Sequence, residues 1–125
     1  MKQYGGKKMA KRNISFLHKW KSLMISGDKT MTCRTSCMAN PGDTFAAFGY
    51  IFLVKSVIVV PLKVVATEYY EQEGCKSPNE FVKVWETIHP KGFKGDEIVF
   101  LHKFELQESP IQGALLKPEA VPASM

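Results

Sequence analysis

Residues 26–34 read SGDKTMTCR and set Asp28, Lys29 and Arg34 among the hydroxyls of Ser26, Thr30 and Thr32 and the thiol of Cys33. Hydroxyls and a thiol beside fixed cations are the material of nucleophilic attack and of anion binding. They are equally the material of a turn leading into a strand. Alternation along a strand puts Thr30, Thr32 and Arg34 on one face, which leaves Lys29 to the turn after Gly27-Asp28. From there its long stem can curl back toward the Thr32 face. Arg34 offers a planar fork of donors to an oxyanion or a phosphate.

The neighbouring segments must hold this stretch in place. Residues 13–17, NISFL, carry Ile14 and Phe16 at period two and predict a first strand. Trp20, Leu23 and Met24 then fall at helical spacing and predict a short helix that stops near Gly27. KTMTCR at 29–34 is expected as a second strand, and the turn NPGD at 40–43 precedes a third in TFAAF. Residues 50–70 predict one long bent strand or two strands broken at Pro61, because proline donates nothing to a ladder. After the loop EQEGCK, residues 77–89 have the marks of a helix: Ser77 as N-cap, Pro78 at the first helical position and Glu80 three residues after the cap. Phe81, Val84, Trp85 and Ile88 make its expected buried stripe. DEIVFLHKFEL at 96–106 is the last strand, and from Gln107 the chain is too broken by prolines for another regular element. This order predicts an α+β fold, a small closed or partly closed β-barrel with two short helices.

Composition narrows the function classes. The chain has 125 residues, 45% of them apolar and 23% charged, which suits one ordinary globular domain. Its net charge is +5, and Lys2, Lys7, Lys8, Lys11 and Arg12 fall in the first twelve residues, where there is no acid. Residues 1–12 therefore read as a basic arm, either a solvated terminus or a loose grip on phosphate backbones. The apolar run 45–66 approaches the length of a membrane span, but Lys55 and Lys63 lie inside it, Gly49 and Pro61 interrupt it, and its Val, Ile and Phe content suits strands. Three cysteines leave one thiol unpaired, and with no signal peptide evident the expected setting is a reducing cytoplasm. Neither the C-x3-C of Cys33 and Cys37 nor the scattered His18, His89 and His102 has metal-ligand spacing, so no metal or other cofactor is expected.

Over residues 13–106 the chain resembles the ASCH family of small PUA-like β-barrels. The resemblance rests on G-x-K-x-x-T-x-R, met by Gly27, Lys29, Thr32 and Arg34, on the turn Gly42-Asp43, and on the pair Glu73-Gly74 ahead of the helix. Bacterial members of that family hydrolyse the acyl amide of N4-acetylcytidine. The resemblance implies Lys29 as proton acceptor, Thr32 as nucleophile and Glu73 as proton donor. Arg34, Thr30 and Tyr70 are the residues expected to touch substrate, Tyr70 by stacking on a base beside Tyr69. A lysine is a base only when its neutral form is populated: burial favours that form, a nearby carboxylate opposes it, and a protonated Glu73 would relieve the conflict. The expected partner is a modified cytidine nucleoside or RNA, with RNA binding or metal-independent RNA cleavage as the alternative functions. Without the resemblance, Lys29 and Arg34 also read as exposed strand-edge charges, Thr30 and Thr32 as ordinary strand formers, and Glu73 as an acid near a helix start.

Overall fold

Two long antiparallel strands, β4 (Tyr50–Pro61) and β5 (Ile98–Glu108), carry the molecule, which a computed structural model describes over residues 10–108. Their pairing runs from Ile51 opposite Glu108 to Pro61 opposite Ile98, with register shifts at Ile51/Phe52 and Val54/Ser56. Such irregularities bend a strand and increase its twist. β2 (Met31–Arg34) pairs with β5, and β3 (Thr44–Ala47) pairs with β4, both antiparallel. β1 (Lys11–Arg12) adds in parallel to β3, so the sheet is mixed, in the order β1-β3-β4-β5-β2. β1 and β2 are its edges, and no ladder joins them among the described residues.

The inward face is filled by aromatic rings from three strands. Phe45 and Phe52 stack at 5.3 Å, and Phe104 meets both edge-on at 5.5 Å. Phe16 closes the cluster, 5.5 Å from Phe45 and 6.1 Å from Phe104. Edge-to-face and offset contacts of this kind add to the burial of the rings.

A 3-10 turn (His18–Trp20) leads into α1 (Lys21–Ser26), which ends at Gly27 with φ of 90°, as the sequence predicts. The helix expected after the EQEGCK loop is α3 (Pro78–Ile88): the Ser77 hydroxyl accepts from Glu80 N at 3.1 Å, and Glu80 answers by accepting from Lys76 N. Its buried stripe is narrower than expected, because Phe81 and Trp85 are buried while Ile88 is 48% exposed.

Two expectations are corrected. Residues 13–17 form no strand; Ile14 is buried and Phe16 joins the ring cluster, but the Ser15 carbonyl accepts from Arg34 instead of joining a ladder. The alternating apolar pair marks buried irregular chain. Beyond Pro61 the chain does not continue as strand but enters a third helix, α2 (Leu62–Glu68), with Leu62, Val65 and Ala66 buried at i, i+3 and i+4. Pro61 both ends the ladder and caps this helix, and the β-branched Val64 and Val65 masked the helical spacing. The apolar run 45–66 is thus two strands and the start of a helix, and no helix among the described residues is long and apolar enough to cross a membrane.

Most of the basic arm and of the C-terminal tail lies outside the described residues. Lys11 and Arg12 form β1, and Arg12 Nε donates to Asp43 Oδ2 at 2.9 Å. Asp43 also accepts from Ala10 N at 3.2 Å and Asn40 N at 2.8 Å, fastening the edge strand to the Gly42-Asp43 turn. Burial raises the Asp43 carboxyl, but the Asn40 amide, the Arg12 guanidinium and the Ala10 amide outweigh it and hold it below the usual aspartate range. Asp43→Ala is therefore expected to cost about 1.5–3 kcal/mol in urea denaturation. Because the folded value is the lower one, this stability is present above about pH 4 and is lost as pH falls through the folded value, so the gap between wild type and variant should close in acid.

Candidate active site

Lys29 is brought to its place by backbone contacts on both sides. Its own N–H returns to Leu23 O at 2.9 Å, closing the exit from α1. Thr30 N and Met31 N then both donate to Gln72 O, at 2.8 and 3.0 Å, stitching the 71–76 loop to the start of β2. The side chain is 2% exposed, which overturns the reading of Lys29 as an exposed strand-edge charge.

Its Nζ donates to Met31 O at 2.8 Å, to Glu73 O at 2.8 Å and to Glu73 Oε1 at 3.1 Å. Three acceptors match the three N–H bonds of an ammonium. The Trp20 ring centroid lies 4.6 Å from Nζ and covers it. Gly74 closes this corner with φ of 95°, where a Cβ would come within 3.0 Å of Trp20 Cζ3 and 3.3 Å of Lys29 Cβ. Only glycine combines that backbone angle with so close an approach.

Glu73 is 6% exposed, and its Oε2 has no hydrogen-bond partner. Burial pushes its carboxyl above the usual glutamate range, against the opposing pull of Lys29 and Arg34. A carboxyl raised by burial is one that can take up and give a proton nearer neutral pH.

Thr32 and Arg34 leave β2 on the same side. Arg34 Nε donates to Thr32 Oγ1 at 3.2 Å, Nη2 donates to Ser15 O at 2.8 Å, and the guanidinium lies 4.9 Å from the Phe16 ring centroid. The threonine oxygen thus sits against a fixed positive charge, which stabilises any negative charge that develops on it. Opposite Thr32 in the β5 ladder, His102 is fully buried, accepts from Met38 N at 3.0 Å through Nε2 and donates to Thr32 O at 3.3 Å through Nδ1. Burial lowers its basicity, so it serves as a neutral strut between β5 and the two chain segments it bonds.

Lys29, Thr32, Arg34 and Glu73 line one cavity of about 370 Å3, together with the two tryptophans, Trp20 and Trp85. Thr30 is outside that lining: it lines a smaller cavity of about 220 Å3, which Lys29 also borders, with Lys55 and Lys103. β2 begins only at Met31, so alternation does not reach back to Thr30, which belongs to the turn held by Gln72. Tyr70 is half-buried and outside the cavity lining, and its carbonyl accepts from Cys75 N at 2.9 Å. The aromatic surfaces in the cavity come instead from Phe16, Phe81 and the two tryptophans, Trp20 and Trp85, whose helical spacing marked them as core. Cys33 and Cys75 also line it, but burial pushes both thiols up, Cys75 to about 11, which keeps them protonated at neutral pH.

The mixed sheet with short helices is an α+β fold, similar to that of a solved ASCH domain. No protein-family model and no curated protein matches the chain. Among solved structures, the ASCH domain from Lactobacillus crispatus JV V101 is similar over 79% of both chains, with a TM-score of 0.55 and 14% identity. Protein EF3133 from Enterococcus faecalis V583 is similar over 79% of both chains, with a TM-score of 0.56 and 16% identity. The hypothetical protein PH0355 matches 80% of this chain and 99% of its own, with a TM-score of 0.61 and 22% identity. The ASCH-type fold is shared at these low identities.

Removing one member of a buried ion pair strands the other. Lys29→Met and Glu73→Leu are each expected to cost about 3–5 kcal/mol, and the double variant to cost less than the two together. Urea denaturation of the four proteins checks this; additive losses would show that the two side chains do not depend on each other.

Proposed function

We propose that the protein hydrolyses the acyl amide of an N4-acylated cytosine nucleoside such as N4-acetylcytidine. The observation that carries the reading is the buried Lys29–Glu73 pair, which lines one cavity with Thr32 and Arg34. The cavity, about 370 Å3, is at the lower end of small-molecule sites and suits a nucleoside better than a folded strand.

The pair supplies both proton carriers. Transfer of one proton from Lys29 Nζ to Glu73 Oε1, 3.1 Å away, turns an ammonium and a carboxylate into an amine and a carboxylic acid. Burial raises the Glu73 carboxyl and so eases its protonation, and the uncharged pair is the one that acyl transfer needs. The Lys29 amine takes the Thr32 hydroxyl proton as Oγ1 bonds to the acyl carbon, and Arg34 stabilises the negative charge that develops. The tetrahedral centre collapses with cleavage of the C–N bond while Glu73 gives its proton to the departing N4. The ion pair is now restored and the acyl group is on Thr32. Water then adds to the acyl carbon, its proton passing to the Glu73 carboxylate. Thr32 leaves with a proton from Lys29, which frees the acid and leaves the uncharged pair with which attack began; return of the proton from Glu73 to Lys29 restores the ion pair.

This reading places the protein in a reducing cytoplasm, where Cys33, Cys37 and Cys75 remain the free thiols they are in the structure. Purified protein is expected to release acetate from N4-acetylcytidine. Thr32→Ser should retain turnover, while Thr32→Val, which keeps the shape and loses the hydroxyl, should lower kcat by at least about 10²-fold with little change in melting temperature. Lys29→Arg keeps the charge but cannot give up its proton, and should be as inactive. Near-normal turnover by Thr32→Val would remove the proposed nucleophile. Salt-sensitive RNA binding, or RNA cleavage, with no acetate released would replace the amidohydrolase with the RNA-directed alternative.

A further inference from the structure

Two buried side-chain polar atoms among the described residues have no hydrogen-bond partner: Glu73 Oε2 and Trp85 Nε1. Both residues line the same cavity, and they are 6% and 4% exposed. A buried polar atom left unpaired costs a fold about as much as a lost hydrogen bond, so each asks for a reason. The two differ in character, since an indole N–H can only donate and a carboxylate oxygen accepts.

Trp85 is held rigidly. Its ring stacks on His89 with centroids 3.7 Å apart and planes at 14°, and it lies 6.2 Å from Phe81. His89 Nδ1 in turn donates to Trp85 O at 3.1 Å. Packed on these neighbours, the indole N–H meets no acceptor of the protein. Phenylalanine would bury much the same apolar ring without the unpaired donor.

We propose that Trp85 Nε1–H is a specificity donor which, together with Glu73 Oε2, reads a ring edge that carries an N–H next to a ring acceptor, as the N4–H and N3 of cytosine do. The proposal rests on the amidohydrolase reading for its choice of ring. Glu73 already has to face N4 in order to protonate the leaving amine, and the atom next to that position on the cytosine edge is an acceptor. Uracil presents the reverse order, an acceptor at position 4 and an N–H at position 3, and mismatches both groups. A site with fixed buried partners rejects such a ligand because its own polar atoms stay unpaired.

The test measures calorimetric binding of cytidine and of uridine, neither of which is consumed, to the whole protein. Trp85→Phe is compared with a protein carrying 3-benzothienylalanine at position 85 alone, which keeps the bicyclic shape and replaces N–H by sulfur. Wild type is expected to bind cytidine at least tenfold more tightly than uridine. The benzothienyl protein should lose about tenfold for cytidine, change little for uridine and melt no lower than wild type. Equal binding of cytidine by wild type and the benzothienyl protein would overturn the proposal. So would no detectable cytidine binding, no preference over uridine, or a lower melting temperature in the benzothienyl protein. Selectivity lost at position 85 in a protein that releases no acetate from N4-acetylcytidine would uphold the inference and reject the hydrolase. Acetate release with unchanged selectivity would do the reverse.

Discussion

An ammonium and a carboxylate, 3.1 Å apart and almost wholly removed from water, are the constraint to which the rest of this molecule is fitted. Desolvating each ion costs several kcal/mol, and attraction between them offsets that cost only when the remaining donors and acceptors are also matched. On the lysine side the matching is complete, with two backbone carbonyls, one carboxylate oxygen and the face of Trp20 around a single Nζ. On the glutamate side it stops halfway, at an oxygen with no partner. Among the described residues the pair is therefore fully matched on one side only.

The surrounding backbone makes the pair possible. Gly27 turns the chain out of α1, Gln72 O gathers two successive amides at the entry to β2, and Gly74 lets the loop descend onto Trp20. The Gln72 and Gly74 contacts join segments distant in the chain, so Lys29 meets Glu73 only when the loop, the helix exit and the sheet edge are formed together.

β2 is a short edge strand, yet Thr32 and Arg34 project from it in a defined direction. The β5 ladder aligns Thr32 with His102, whose neutral ring then bonds the Thr32 carbonyl and the Met38 amide. Arg34 is fixed in front by Ser15 O and by the ring of Phe16, which itself belongs to the aromatic cluster of the core. Functional groups placed on a regular element and braced by packing keep their geometry more closely than groups on a free loop. The candidate chemistry therefore depends on the same phenylalanines that fill the sheet.

The sequence by itself determined what depends on near neighbours. The cap of α3 by Ser77 and Glu80, the left-handed stop at Gly27 and the Gly42-Asp43 turn are all local, and all were readable from residue type and spacing. So was the order of residues that resembles ASCH domains. Segments 13–17 and 62–68 escaped local reading because alternation and β-branching describe which side chains are apolar, not whether a ladder partner is at hand. Tertiary structure alone buried Lys29, since its partner is 44 residues away and its cover is a tryptophan that helical spacing assigned simply to the core. It also sent Thr30 and Tyr70 elsewhere and brought Trp85 to the cavity wall, because which face of a strand or helix meets a cavity is set by the elements packed against it.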